Sequence, residues 1–255
     1  MSDLFERSLC NVIEIPVDVG SIASISQKII QRIGSPENHG GYVCVANVHM
    51  LSVAHENSKF RSAMKNADLT IADGIPLVWT QKLKGHRHAE RVCGPDLMLE
   101  LCQLASIHKL SIFLLGGSPD TLKLLTQKLE QLFPSLKIAG AYSPGPLPQE
   151  PELDLSLTEK INSSGSSLLF VGLGCPKQEF WCASHAPHLK PLSIGVGAAF
   201  DFHAGTKKRP PLWIQKSGFE WLYRLVTEPR RLWKRYLHSN TLFLYLSLKD
   251  FLNIR

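Results

Sequence analysis

The stretch ADLTIADGIPLVW (67–79) sets a carboxylate where an apolar run stops and a helix-like run begins. Asp73 has two readings there. Aspartate is among the best helix N-caps, so one reading makes it the cap of the helix from Ile75. The other has it looking out from a sheet edge as a proton acceptor. Gly74 beside it leaves room for a ligand to come close. A second stretch, LFVGLGCPKQEFW (169–181), is a glycine-rich turn between an apolar run and a helix. Such a turn offers backbone N–H groups and a helix N-terminus to an anion. Gly174 lies in the turn. Lys177, Gln178 and Glu179 in the first helical turn suit a sugar or a diphosphate, or read simply as solvated polar residues. LLGGSPD (114–120) has the same form through Gly116 and Gly117. Asp201, in GVGAAFDFHAG, is either a loop cap or an acceptor for a base or ribose. Arg91, in ERVCGPD, read alone is a surface arginine.

Other chemistries find no pattern. The glycine-rich turns lack the GK[ST] ending of a Walker loop and the G-x-G-x-x-G dinucleotide fingerprint, which counts against a nicotinamide-dependent dehydrogenase. No G-x-S-x-G elbow appears. The histidines form no H-E-x-x-H set, and the 6 cysteines show no paired spacing, so neither metal nor a disulfide framework is expected. The start, MSDLFERSLCNVIEIPV, lacks the basic-then-apolar form of a signal peptide. No run reaches the ~18–20 apolar residues of a spanning helix. These features predict a cytoplasmic protein unless it sits on a membrane surface.

The net charge of +6 is concentrated late. Residues 205–235 hold Lys207, Lys208, Arg209, Lys216, Arg224, Arg230, Arg231, Lys234 and Arg235 against Glu220 and Glu228. Trp221, Tyr223, Trp233 and Tyr236 are interleaved with them. Part of this is a helix docking an aromatic stripe on the core. The excess charge points to phosphate, anionic lipid or nucleic acid. Tryptophan and tyrosine suit a membrane interface, and each basic residue near an anionic surface is worth about 1 kcal/mol.

Elements that position these residues follow from periodicity. Strands are expected at 12–17, 41–47, 69–73, 110–117, 136–142, 167–174 and 192–200, with helices between them. Ser21 is a candidate cap for a helix at 21–33, and Pro119 sits in the first turn of a helix at 118–133. Several strands are continuously apolar, as strands buried on both faces must be. The expected fold is α/β, a mostly parallel sheet with helices on both faces. Ligands bind such sheets beyond the carboxyl ends of the strands, where Asn47, Asp73, Gly116, Gly174 and Asp201 fall. The division expected is a core over 1–205 and a helical appendage over 206–255. Pro229 is expected to split the appendage, and a last apolar helix to span about 240–252.

In order along the chain stand N-x-H-x-L from Asn47, ADG, R-x-x-G-x-D-L, LLGG, VGLGxPKQE-x-W, GVGxxFDFxAG, RxPxW and GxEWLYRLxxEPRR. This series resembles the WecG/TagA/CpsF glycosyltransferases, glycosyltransferase family 26, over nearly the whole chain. The resemblance implies a Rossmann-like bacterial enzyme that moves a sugar, with inversion, from a UDP-sugar to a polyprenyl-diphosphate-linked saccharide. It implies no metal or cofactor, and a C-terminal appendage that reaches the cytoplasmic membrane surface and completes the active site. Asp73 falls on the proposed base and Arg91 on an arginine that aids the diphosphate. Asn47 and Gln178 fall on pocket positions, and Arg224 and Arg231 on appendage arginines that meet the diphosphate. The family often has threonine two residues before the asparagine; this chain has Val45. The rival from another class is a non-catalytic nucleotide or nucleic-acid binding protein with a basic aromatic tail. A homo-oligomer is compatible with either.

Overall fold

The computed structural model describes residues 7–35 and 40–252, so residues 1–6 of the leader reading lie outside the described residues. Eight described strands form one sheet. They are β1 (Leu9–Val12), β2 (Ile15–Asp18), β3 (Tyr42–Ala46), β4 (Leu69–Ala72), β5 (Ser111–Gly116), β6 (Lys137–Tyr142), β7 (Leu168–Gly172) and β8 (Leu192–Gly195). Their order is β1-β2-β4-β3-β8-β7-β5-β6. All neighbours pair in parallel except the β1–β2 edge hairpin. The expected mostly parallel α/β sheet is what the chain builds.

Three strand expectations need correction. The run 12–17 is not one strand: the chain reverses at Ile13 and Glu14, both at positive φ (47° and 65°), and Val12 pairs with Ile15. The run 192–200 is a strand only to Gly195. It turns through Gly197 (φ 54°) into a short helix, so the apolar residues Ala199 and Phe200 are helical. The run 167–174 likewise ends as a strand at Gly172.

The period of two sorts the strands between two cores. In β3, Tyr42, Cys44 and Ala46 face one side, and Val43 and Val45 the other. In β5, Phe113 and Leu115 oppose Ile112 and Leu114. One face is covered by α1 (Ile22–Ile33), α5 (Gly94–Ile107), α6 (Pro119–Leu132) and α9 (Ala199–Ala204). The other is covered by α2 (Val48–Glu56), α3 (Ser58–Lys65), α4 (Ile75–Leu83), α7 (Leu155–Ser163) and α8 (Lys177–His185). Ser21 caps α1 with a full capping box, as its position predicted.

The C-terminal segment forms α10 (Leu212–Ser217), α11 (Glu220–Thr227) and α12 (Pro229–Phe251). Pro229 does separate two helices, at the first turn of the second where its missing N–H costs nothing. The separate helix expected at 240–252 is instead the latter half of α12, which runs 23 residues without a break. Phe243 and Leu246 of α12 join the same core as Met50, Leu51 and Trp181. Ser239 Oγ meets His49 Nδ1 at 3.1 Å, and its carbonyl accepts from Ser52. Each large apolar side chain buried here is worth ~1.5–3 kcal/mol, so α12 is anchored by packing.

Candidate active site

The parallel strands put their carboxyl ends on one edge. Along the order β4-β3-β8-β7-β5 that edge presents Asp73, Asn47, Gly197, Gly174 and Gly116-Gly117 in turn. The chain leaves β4 for β5 at the far side, then returns through β7 and β8 to meet β3. A reversal of this kind opens a crevice at the strand ends.

Asp73 extends the ladder by one residue, its N–H donating to Ala46 O at 2.8 Å. It does not cap the next helix: Gly74 is the N-cap of α4, with no side-chain bond. The carboxylate is held by Arg91 instead. Val92 N–H donates to Ala72 O at 2.9 Å and carries the 84–93 loop past the end of β4. Arg91 Nη2 then donates to Asp73 Oδ1 at 3.0 Å, and Nε donates to the same oxygen at 3.3 Å and to the Asp73 carbonyl. The described bonds to the carboxylate all fall on Oδ1.

A third residue joins them from the C-terminal segment. Arg91 Nη2 also donates to Glu220 Oε2 at 2.8 Å, and Nη1 to the Gln215 carbonyl at 3.2 Å. The side chains of Asp73, Arg91 and Glu220 are 24%, 18% and 16% exposed. Burial pushes the Asp73 carboxyl above its ordinary range; Arg91 opposes this, Glu220 reinforces it, and Arg224 opposes it from farther off. Burial works against the charge on Arg91, but Asp73 and Glu220 outweigh it and leave the guanidinium more firmly protonated than usual.

The other expected site residues fall into distinct groups. Asn47 caps α2, its Oδ1 accepting from Met50 N–H at 3.2 Å. A Cβ placed on Gly74 would lie 3.7 Å from Asn47 Cα, so the two adjoin. Gly116 has φ 115°, and a Cβ there would stand 2.6 Å from the Gly172 carbonyl; its glycine serves strand packing. Gly117 (φ 70°) and Gly174 (φ 77°) shape the turns, with open space over Gly174. Gln178 is buried with Glu179 rather than solvated; its Nε2 donates to Glu179 Oε1 at 2.6 Å, and its Oε1 has no partner beside Gly195 and Gly197. Lys177 donates to the Leu147 carbonyl.

Arg224 is half-buried and electrostatically felt at Asp73. Asp201 sits on α9, 3.4 Å from Lys207, which also reaches Glu228 at 3.8 Å. Arg231 is exposed and pairs with Glu228 at 2.6 Å. None of the described contacts joins Asp201 or Arg231 to Asp73 or Arg91. Among the described residues no group of three or more His, Cys, Asp and Glu could hold a metal ion.

Glu220 is the residue sequence reasoning passed over, and Glu179 is one whose surroundings it did not foresee. Glu220 read as one of two acids in a basic run, and its place in a first helical turn has a sufficient local explanation. Glu179 is buried; it read, with Lys177 and Gln178, as a group for a sugar or diphosphate or else as a solvated first-turn residue. The signal against that was its flank, Phe180-Trp181-Cys182, which turns the face inward.

The chain matches the glycosyl transferase WecG/TagA/CpsF family over residues 10–255. It is 32% identical over 203 residues to the N-acetylglucosaminyldiphosphoundecaprenol N-acetyl-beta-D-mannosaminyltransferase of Bacillus spizizenii strain W23, covering 79% of this chain and 76% of that one. It is 33% identical over 200 residues to the protein of the same name from Bacillus subtilis strain 168, covering 78% and 75%. With a match spanning both the strand-end edge and the helices that close over it, this chain belongs to the WecG/TagA/CpsF family of glycosyl transferases.

Proposed function

We propose that the protein transfers a sugar from a UDP-sugar to a polyprenyl-diphosphate-linked saccharide, inverting the anomeric centre, with Asp73 as general base. The relatives' names support an N-acetylhexosamine donor and an N-acetylglucosamine-bearing lipid acceptor in cell-surface polymer synthesis. The observation that carries the reading is the state of the Asp73 carboxylate. Its Oδ1 is held by Arg91 and its Oδ2 is left for an acceptor hydroxyl. Its proton affinity is raised by burial and Glu220, which brings it nearer the neutral range where a base works best.

In the step proposed, the acceptor hydroxyl gives its proton to Asp73 as its oxygen attacks the anomeric carbon. The bond from that carbon to the diphosphate breaks on the opposite side, and UDP leaves with the electron pair. Arg224 and Arg231 on the C-terminal segment meet the charge that builds on the diphosphate. Asn47, Gly74, Gln178 and the glycine turns of β5 and β7 shape the donor pocket, and Asp201 lies at its far rim.

Exposed Leu212, Trp213, Phe219, Val226 and Trp233 share the C-terminal segment with its arginines and lysines. No described helix is long and apolar enough to cross a membrane. We place this segment on the cytoplasmic face of the membrane that holds the lipid acceptor, as a peripheral attachment.

Asp73→Asn tests the core of the reading. With a UDP-sugar and a short-chain lipid-diphosphate acceptor, UDP release should fall ~10²–10⁴-fold while UDP still binds. Near-normal turnover would remove Asp73 from the role. Salt-sensitive RNA binding without UDP release from any donor would replace the enzyme with a nucleic-acid binding protein.

A further inference from the structure

Helix α11 buries none of its residues fully, while Leu222 and Val226 on it stand 42% and 72% exposed. Its apolar hold is slighter than that of α12 and centres on Trp221, which meets Tyr236 of α12 edge-on with ring centroids 5.9 Å apart. To this it adds a nearly buried ion pair at its first residue, Glu220 to Arg91. The preceding turn is threaded close by: Gly218 has φ 83°, and a Cβ there would come 3.2 Å from Ile75.

Arg91 is almost fully engaged by the protein. The N–H on Nε serves Asp73, the two on Nη2 serve Asp73 and Glu220, and one on Nη1 serves Gln215. A guanidinium has five N–H groups, so a single one is left. It cannot offer a two-pronged grip to a phosphate while these bonds stand, and its arrangement fits orientation of the carboxylate instead. Two of its acceptors, the Glu220 carboxylate and the Gln215 carbonyl, come from the C-terminal segment.

We propose that Glu220 is a positioning residue for the transfer: by clamping Arg91 from α11 it fixes the Asp73 carboxylate with Oδ2 free. The inference rests on the reading of Asp73 as base. Three charged groups face Asp73, namely Arg91, Glu220 and Arg224, and the Cys93 thiol lies near it. Glu220 faces Arg91 and, at longer range, Arg209, which is itself paired with Asp96. Of these, Glu220 is the one that opposes ionisation of Asp73. Its loss therefore eases that ionisation as well as releasing Arg91.

The test compares kcat/KM against pH for the wild type, Glu220→Gln, Glu220→Asp and Asp73→Asn, with a detergent-dispersed short-chain acceptor so that membrane binding plays no part. Glu220→Gln should lower kcat ~10–100-fold, the scale of a small misplacement of a reacting group. KM for the donor should change little, and the acid limb should move to lower pH. Glu220→Asp, which keeps the charge, should keep the wild-type limb and recover part of kcat. A loss of rate in Glu220→Gln with the acid limb unmoved would mean that α11 had merely loosened, and would overturn the proposal; so would an unchanged rate. If Glu220→Gln does not fold, Glu220→Asp decides: reduced kcat on a wild-type limb with Tm unchanged supports the proposal, and any other outcome overturns it. Asp73→Asn separates the two claims. If that variant is active, the base reading has failed and this inference with it; if it is inactive while Glu220→Gln fails its test, only the role of Glu220 is lost.

Discussion

Glu179→Gln should make the protein more stable at pH 8 than at pH 5, measured against the wild type at each pH. Glu179 is 2% exposed on the first turn of α8. Its Oε1 accepts from Gln178, but Oε2 is buried without a partner. Burial pushes this carboxyl from an ordinary 4.5 up to about 7, against the opposing bonds from Gln178, its own backbone N–H and the Cys175 thiol. The folded state therefore holds its proton where the unfolded chain has released it. For an acid with a raised folded value, stability is highest below 4.5. It declines as pH rises from there towards 7, then levels off.

A tenfold change in proton affinity between the folded and unfolded chain is worth about 1.4 kcal/mol, so the decline between pH 5 and pH 8 amounts to about 2–3 kcal/mol. Glutamine copies the shape of the protonated carboxyl and cannot ionise, so the variant escapes this decline. At ~2–4 °C per kcal/mol for a chain of this size, the gap in Tm between variant and wild type should widen by ~5–10 °C from pH 5 to pH 8. The His49 imidazole is pushed down to about 4 by burial, and burial lowers those of His185 and His203 as well. They are common to both proteins and drop out of the difference. Thermal unfolding of both proteins at the two pH values is the assay. A gap that stays constant with pH would show that Glu179 is ionised in the fold and that the unpartnered oxygen is satisfied in some other way.

Gly116→Ala adds a Cβ 2.6 Å from the Gly172 carbonyl at φ 115°, so it should destabilise by ~2–4 kcal/mol in urea unfolding and take activity down with stability. Leu232→Ala, at a fully buried position on α12, should cost ~2–5 kcal/mol. Trp233→Ala, one residue on and 49% exposed, should leave the urea midpoint nearly unmoved but weaken sedimentation with vesicles containing anionic lipid.

Most of the sheet was legible because parallel strands buried on both faces are unbroken apolar runs, and Val43–Ala46, Ile112–Leu115 and Leu168–Val171 could be little else. What escaped was local geometry with no compositional mark. Tight hairpins usually show Asn-Gly or Asp-Gly. Ile13-Glu14 turns without either, holding two side chains at positive φ for the sake of the buried edge strands. After β8 the apolar run simply continues, and only Gly197 marks where strand becomes helix.

The candidate site divides in the same way. Asp73 was legible as a carboxylate at a strand end, and glycines marked the turns. Its contact with Arg91 depends on a loop whose course no periodicity reports. The bond to Glu220 spans 129 residues of chain and is fixed by tertiary packing alone. Glycines such as Gly116 signalled a special backbone without saying whether a ligand or a neighbouring strand required it, and here the neighbour is the Gly172 carbonyl.

The late basic run read as a surface waiting for an anion, yet part of it is already paired within the chain. Lys207 reaches Asp201 and Glu228, Arg209 grips Asp96, and Arg231 pairs with Glu228. A carboxylate paired only with an arginine is a weak base, because the partner stabilises its charged form. Sharing that arginine with a second carboxylate restores proton affinity to the first without releasing its orientation. Arg224, one turn along α11 from Glu220, opposes that rise, so one helix carries both an acid that raises the proton affinity of the proposed base and a cation that lowers it.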